Sequence, residues 1–187
     1  EEVDFLKTVI SSDSPTAFCH NDMLAGNIMV DGSSGEIQLI DFEYGTTNFV
    51  AFDIANHFNE WAGGTDNGKP DYSLLPTASQ KAEFVKEYVI VRGEGARLKA
   101  EELLAEVERF MWANNLYWGL WGVLQAQYST LDFDYLGYSA RRLTRFRKVS
   151  AQVYAEVTAA TGDADGDGVI NKEEMSGLAK EIMENAG

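Results

Sequence analysis

Cys19-His20-Asn21-Asp22-Met23-Leu24-Ala25-Gly26-Asn27-Ile28, followed by Leu39-Ile40-Asp41-Phe42-Glu43-Tyr44, is the stretch around which the chain is organised. Asp22 stands five residues before Asn27. Ile28 to Val30 and Ile37 to Ile40 read as two short strands, and Asp31-Gly32-Ser33-Ser34-Gly35 supplies the turn between them. That hairpin returns Asp41 to the side of Asn27. A carboxylate on a rigid loop can accept a hydroxyl proton and orient the attacking oxygen. An amide oxygen and a second carboxylate beside it are hard ligands for Mg2+. An Asp five residues before an Asn is by itself an ordinary turn and cap; His20, Gly26 and the strand end at Asp41 lift the pattern above that.

The bulk composition narrows the setting. At 187 residues with 45% hydrophobic content, the chain is expected to form one domain with at most a small appendage. Thirty acidic residues against 15 basic ones give a net charge of -15, which argues against nucleic acid as a partner. The same acidity suits a small cationic substrate, although it equally serves solubility. Cys19 is the only cysteine, so no internal disulfide forms, in keeping with a reducing compartment. There is no signal-peptide pattern and no apolar run long enough to span a membrane. The expected location is cytoplasmic. The first residue is Glu1 rather than Met, which reads as a fragment.

Along the chain, Val3, Leu6, Val9 and Ile10 keep a helical spacing, and Thr16 to Cys19 reads as a strand leading into the loop. Asp53 to Trp61 is a short amphipathic helix ending at Gly63-Gly64. Residues 63 to 76 are polar and rich in Gly and Pro, hence a loop. Thr77 with Gln80 forms a capping box for a helix that presents Phe84, Val85, Tyr88 and Val89 and ends at Gly93. Leu98 to Tyr128 is the longest periodic segment. Asp132-Phe133-Asp134-Tyr135 makes a corner, and a second long helix follows. Its basic stretch, Arg141, Arg142, Arg145, Arg147 and Lys148, reads as a solvated face. His57 and Glu60, three apart on a helix, are expected to pair structurally.

The tail has another character. From Asp163 to Glu174 the chain matches the twelve-residue calcium loop of an EF-hand, with Asp163, Asp165, Asp167, Val169, Asn171 and Glu174 at the ligand positions and Gly168 and Ile170 beside them. The glycine required at the sixth position is present. No second copy occurs in the sequence. A single hand lacks the partner it would pack against, which weakens calcium binding or favours a homodimer.

His20-Asn21-Asp22 with Gly26-Asn27-Ile28, and Ile40-Asp41-Phe42-Glu43-Tyr44, follow the spacing of protein-kinase catalytic loops and their magnesium-holding Asp-Phe turn. Together with Asp53-Ile54-Ala55-Asn56-His57-Phe58-Asn59-Glu60-Trp61 and Trp118-Gly119-Leu120-Trp121 through Ser129-Thr130, they resemble the choline/ethanolamine kinase family from Glu1 to about Lys148. The first signature is shared with aminoglycoside phosphotransferases; the last two are more specific. Asn59 with Ala62-Gly63, Asp71 to Leu74, and Tyr128 to Asp134 look closer to ethanolamine kinases than to choline kinases.

The resemblance implies an α+β, mostly helical fold: the large, C-terminal lobe of a protein-kinase-like fold (1–148), with a small β-hairpin at the catalytic loop, followed by a single EF-hand (149–187). It implies ATP-dependent phosphorylation of ethanolamine or choline, the committing step toward the corresponding phospholipids. Asp22 takes the place of the base, Asn27 and Asp41 hold Mg2+, and His20 and Glu43 support them. Tyr44, Trp118, Trp121, Phe133, Tyr135 and Tyr138 fall at the positions of the family's aromatic pocket, and Ca2+ belongs at the hand. The residues agree independently. Trp118 and Trp121 are three apart and share a helix face, where an ammonium group over an indole gains ~0.5–2 kcal/mol. A Trp pair at this spacing is core packing by default; the upstream motif favours the pocket.

The chain departs from kinases in having no strand-borne lysine for the ATP phosphates and no true glycine loop, since Gly93-Glu94-Gly95 lacks the third glycine. The isolated chain is therefore expected to turn over little or no substrate. Two other readings stand beside this one: a calcium-binding regulatory module on an inactive kinase lobe, and a small-molecule kinase of the aminoglycoside phosphotransferase type.

Overall fold

The computed structural model describes Leu6, Ile10 and residues 13–64, 67–93 and 99–161, with side chains in the last helix as far as residue 150. Two antiparallel strand pairs precede the four helices named below. Strand β1 (Thr16–Cys19) pairs with β4 (Thr46–Phe49) in the register Thr16↔Phe49 and Cys19↔Thr46. Strands β2 (Ile28–Val30) and β3 (Ile37–Leu39) form the expected hairpin, with Ile28 opposite Leu39. Its turn is held by Asp31, whose carboxylate accepts from the backbone N–H groups of Ser33 and Ser34 at 2.8 and 2.7 Å.

Helix α1 (Val50–Glu60) runs straight on from β4, three residues earlier than the sequence pattern suggests. Helix α2 (Ala78–Arg92) starts at the expected capping box: Gln80 N–H donates to Thr77 Oγ1 (3.3 Å), and Thr77 N–H donates to Gln80 Oε1 (2.9 Å). It stops at Gly93, whose φ of 74° a side chain would resist. Helix α3 (Ala100–Tyr128) and helix α4 (Tyr135–Thr161) are the two long helices read from periodicity, joined at the Asp132–Tyr135 corner. The molecule is thus mostly helical α+β with small antiparallel sheets.

The core lies where α1 meets α2 and α3. Ala51, Ala55 and Phe58 of α1 pack with Val85 of α2 and with Leu103, Val107 and Phe110 of α3. Burying a side chain such as Phe58 contributes ~1.5–3 kcal/mol. Helices α3 and α4 approach closely at Gly122, where an added Cβ would lie 2.4 Å from Ser139 Oγ and 3.2 Å from the Tyr135 carbonyl.

Two readings require correction, and two lie outside the described residues. The basic stretch on α4 is not a solvated face throughout: Arg142 is 1% exposed and paired with Glu60 across 2.5 Å. Periodicity could not show this, because the partner comes from another helix. His57 and Glu60 take other partners as well. His57 Nδ1 donates to the Met23 carbonyl at 3.2 Å and its Nε2 accepts from Trp61 Nε1 at 3.3 Å, while Glu60 turns to Arg142. The calcium loop at 163–174 and most of the first ten residues lie outside the described residues.

Candidate functional site

The loop after β1 is fixed from three sides. Helix α1 carries Asp53 in its first turn, and the Asp53 carboxylate accepts from the backbone N–H groups of His20 (3.0 Å) and Asn21 (2.7 Å). Asn21 sits at φ 68°, a left-handed conformation that Asn tolerates better than most residues. Its side chain is fully engaged: Nδ2 donates to the Tyr44 carbonyl (2.9 Å) and the Cys19 carbonyl (3.3 Å), and Oδ1 accepts from Asn48 Nδ2 (2.8 Å). One turn further along α1, Asn56 Oδ1 accepts from Met23 N–H at 2.6 Å, while His57 holds the Met23 carbonyl. Asp22 therefore lies between two clamped peptides.

His20 ties this loop to the hairpin. Its Nε2 donates to the Ile40 carbonyl (2.8 Å), because a carbonyl can only accept. Nδ1 is then the acceptor for Asp22 N–H at 3.3 Å. The imidazole also packs on Phe42, with ring centroids 4.6 Å apart. Ile40 N–H donates to the Asn27 carbonyl at 3.0 Å, which sets Asp41 next to Asn27 as the hairpin reading expects. Asn27 Nδ2 faces the Asp22 carbonyl (2.9 Å) and Asp22 Oδ2 (3.2 Å), so its amide oxygen has no protein partner among the described residues.

Asp22 is held mainly by burial at a pKa pushed up to about 6; the Glu60 and Asp41 charges add to the rise, and His20 and the Asn27 hydrogen bond oppose it. Among the described residues no group of three or more His, Cys, Asp or Glu side chains surrounds a metal position. The donor set is instead one carboxylate, Asp41, and one free amide oxygen, Asn27. That fits a Mg2+ ion completing its shell with water and phosphate oxygens.

Beside Asp22 opens a cavity of ≈ 260 Å3 lined by Glu43, Tyr44, Glu60, Trp118, Trp121, Phe133, Tyr135 and Tyr138, with Leu24 and Leu131 at its apolar margins. All six aromatic residues named from the sequence line it. Their rings pack edge to face: Tyr44 on Trp118 (5.4 Å), Trp118 on Trp121 (5.3 Å) and Trp121 on Tyr135 (5.7 Å). Trp121 Nε1 donates to the Tyr44 hydroxyl at 3.0 Å, joining helix α3 to the segment after Asp41. Burial raises the Tyr44 and Tyr138 phenols, the latter to about 12, so both remain protonated. At the floor, Arg142 lies over the Tyr138 ring at 5.2 Å. Burial pulls against its charge, but the Glu60 carboxylate outweighs this and keeps the guanidinium protonated. Asp22 at one end, Glu43, the Arg142-paired Glu60 and a wall of π faces line this cup, an arrangement able to accept a small cation.

Sequence reasoning missed the residues that hold the site rather than line it. Asp53 reads as an ordinary first-turn acid, and Asn48 lies in a strand that carries no alternation signal. Asn56 and the Glu60–Arg142 pair show no spacing that links them to residues far away in the chain. Their roles exist only once the helices are packed.

The geometry has parallels among known proteins. The choline/ethanolamine kinase family model matches residues 1–147. Mouse ethanolamine kinase 1 is 39% identical over 163 residues, covering 83% of this chain and 44% of that relative. A probable choline kinase 3 of Arabidopsis thaliana is 37% identical over 150 residues, covering 78% and 43% respectively. The structure of a Plasmodium vivax ethanolamine kinase superposes with a TM-score of 0.63 at 34% identity, covering 78% of this chain and 36% of that one. The chain therefore spans less than half the length of the curated relatives it matches. On the family match, the shared identity and the packed loop and cup described above, the chain belongs to the choline/ethanolamine kinase family.

Proposed function

We propose that this chain supplies the acceptor pocket, the base and the metal ligands of an ATP-dependent kinase for a small amino alcohol, ethanolamine in preference to choline. The observation that carries this is the position of Asp22, which both lines the aromatic cup and touches Asn27. A cationic head resting among Trp118, Trp121, Tyr44 and Tyr138 places its hydroxyl arm toward Asp22. Asp22 accepts the hydroxyl hydrogen and orients the oxygen for attack. Its clamped backbone provides the alignment from which most of such an acceleration derives. Asn27 and Asp41 are the residues that would hold Mg2+; when bound, the ion neutralises charge on the phosphate oxygens. His20 keeps the loop and hairpin in register, and Glu43 adds negative charge at the rim.

Titration of the 187-residue chain with ethanolamine, choline and an aminoglycoside tests the acceptor. The expected order is ethanolamine ahead of choline, with no binding of the aminoglycoside. A chain that took the aminoglycoside and neither amino alcohol would end this reading. Transfer is tested on a longer protein carrying the chain, where Asp22→Ala is expected to abolish ATP-dependent phosphorylation of ethanolamine.

The tail supports a second, independent part of the proposal: residues 1–148 form the kinase unit and 149–187 a calcium-binding segment. It rests on the sequence match of Asp163 to Glu174 to a calcium loop. Calorimetric calcium titration of wild type and Glu174→Gln decides it, and equal binding by the two would remove the hand as a metal site.

A further inference from the structure

A second cavity, of ≈ 400 Å3, opens on α4 and is lined by Pro70, Tyr72, Ala140, Arg141, Thr144, Arg145 and Lys148. In a chain of net charge -15, no carboxylate lines it among the described residues. Arg141, Arg145 and Lys148 fall at i, i+4 and i+7 and so project from one face of the helix. Two of the three are set in place. Arg141 Nη1 donates to the Gly68 carbonyl at 2.8 Å, and Arg145 lies over the Tyr72 ring at 4.9 Å. A competing acid is Asp134, whose carboxylate is 3.7 Å from Arg141 and largely in solvent. Arg145 and Lys148 form no ion pair among the described residues.

We infer that this cavity is an anion site for a phosphate ester. The long-range field of so acidic a chain repels anions, so three cations gathered beside one exposed acid, Asp134, must act through close contact. Two guanidinium forks, an ammonium and the Thr144 hydroxyl offer more donors than a two-oxygen carboxylate accepts, and match the three terminal oxygens of a phosphate monoester. The cavity is larger than a bare phosphate, and the Tyr72 ring and Pro70 provide an apolar wall for the organic part. Among the described residues it shares no lining residue with the aromatic cup.

Calorimetry on the whole 187-residue chain in EDTA, with glycerol 2-phosphate as probe, keeps any magnesium-dependent contact at Asn27 and Asp41 out of the measurement. Saturable binding is expected. Lys148→Gln, on an exposed helix position, weakens it about tenfold, the loss of one charge-assisted hydrogen bond, and Arg145→Gln does so at least as much. Lys86→Gln, exposed on α2, leaves it unchanged. Circular dichroism of each variant confirms the fold. A second arm uses phosphatidylcholine vesicles with and without phosphatidic acid. Capture on phosphatidic acid that glycerol 2-phosphate displaces assigns the phosphate to a lipid headgroup, and binding of the free ester without capture assigns it to a soluble molecule. No saturable binding in either arm, capture that the free ester fails to displace, or equal affinity in wild type and both cavity variants overturns the site. None of these failures touches the amino-alcohol reading, which uses other residues.

Discussion

Asp53→Ala removes both acceptors that hold the backbone of His20 and Asn21, at 3.0 and 2.7 Å. Hydrogen bonds to a charged acceptor contribute ~1.5–3 kcal/mol each, and two N–H groups left unsatisfied add a desolvation cost. Asp53 is partly exposed, so the lower end of each range applies, giving a loss of about 3 kcal/mol. That is a large share of the ~5–15 kcal/mol by which a domain is stable. Asp53→Asn keeps one acceptor oxygen but turns an NH2 toward the other N–H, and is expected to cost about half as much. Urea unfolding followed by fluorescence of the four tryptophans measures both losses at constant m-value. Ethanolamine affinity should fall in the same order, because the loop that presents Asp22 is loosened. A loss under ~1 kcal/mol for Asp53→Ala, or equal losses for Ala and Asn, would refute the view that these two bonds set the loop.

Arg142→Met deprives the buried Glu60 carboxylate of its guanidinium and is expected to cost ~3–5 kcal/mol, whereas the double variant Arg142→Met/Glu60→Leu regains most of it; a double-mutant cycle in urea reads the difference. Trp121→Phe keeps a ring in the cup but loses the 3.0 Å hydrogen bond to Tyr44, so stability should drop by about 1 kcal/mol and cation affinity several-fold in the same titrations. Gly122→Ala places a Cβ 2.4 Å from Ser139 Oγ and 3.0 Å from Tyr138 Cδ1. It should cost ~1–3 kcal/mol by forcing α3 and α4 apart and should weaken cation binding through Tyr138. Cys19 is buried and its thiol is raised to about 11, chiefly by that burial. Thiolate is then scarce near neutral pH, and alkylation should be slow in the native chain and fast in urea, as mass spectrometry would show.

Elements with a local signature are legible in the order of residues alone. The periodic runs mark α3 and α4, Thr77 with Gln80 marks the start of α2, and the Asp31–Gly35 turn marks the hairpin that brings Asp41 to Asn27. The aromatic cup is legible through Trp118 and Trp121, whose spacing fixes a common face. Strand β4 is not, because Thr46 to Phe49 has no alternation and is a strand only by pairing with β1. Arg142 misleads for a related reason: within its own helix it looks like its exposed neighbours.

The sequence by itself determined the oxygen donors, their spacing and the aromatic faces, because those follow from covalent order and helical period. Tertiary structure decided which groups restrain them. Asp53 on the loop, Asn56 on Met23, Arg142 beneath the cup and the cations around Tyr72 act across distances in sequence that no local pattern encodes. A hydrogen bond or ion pair between packed helices depends on their relative placement, and that placement is set by the burial of Phe58, Val107 and their neighbours rather than by the polar residues it brings together.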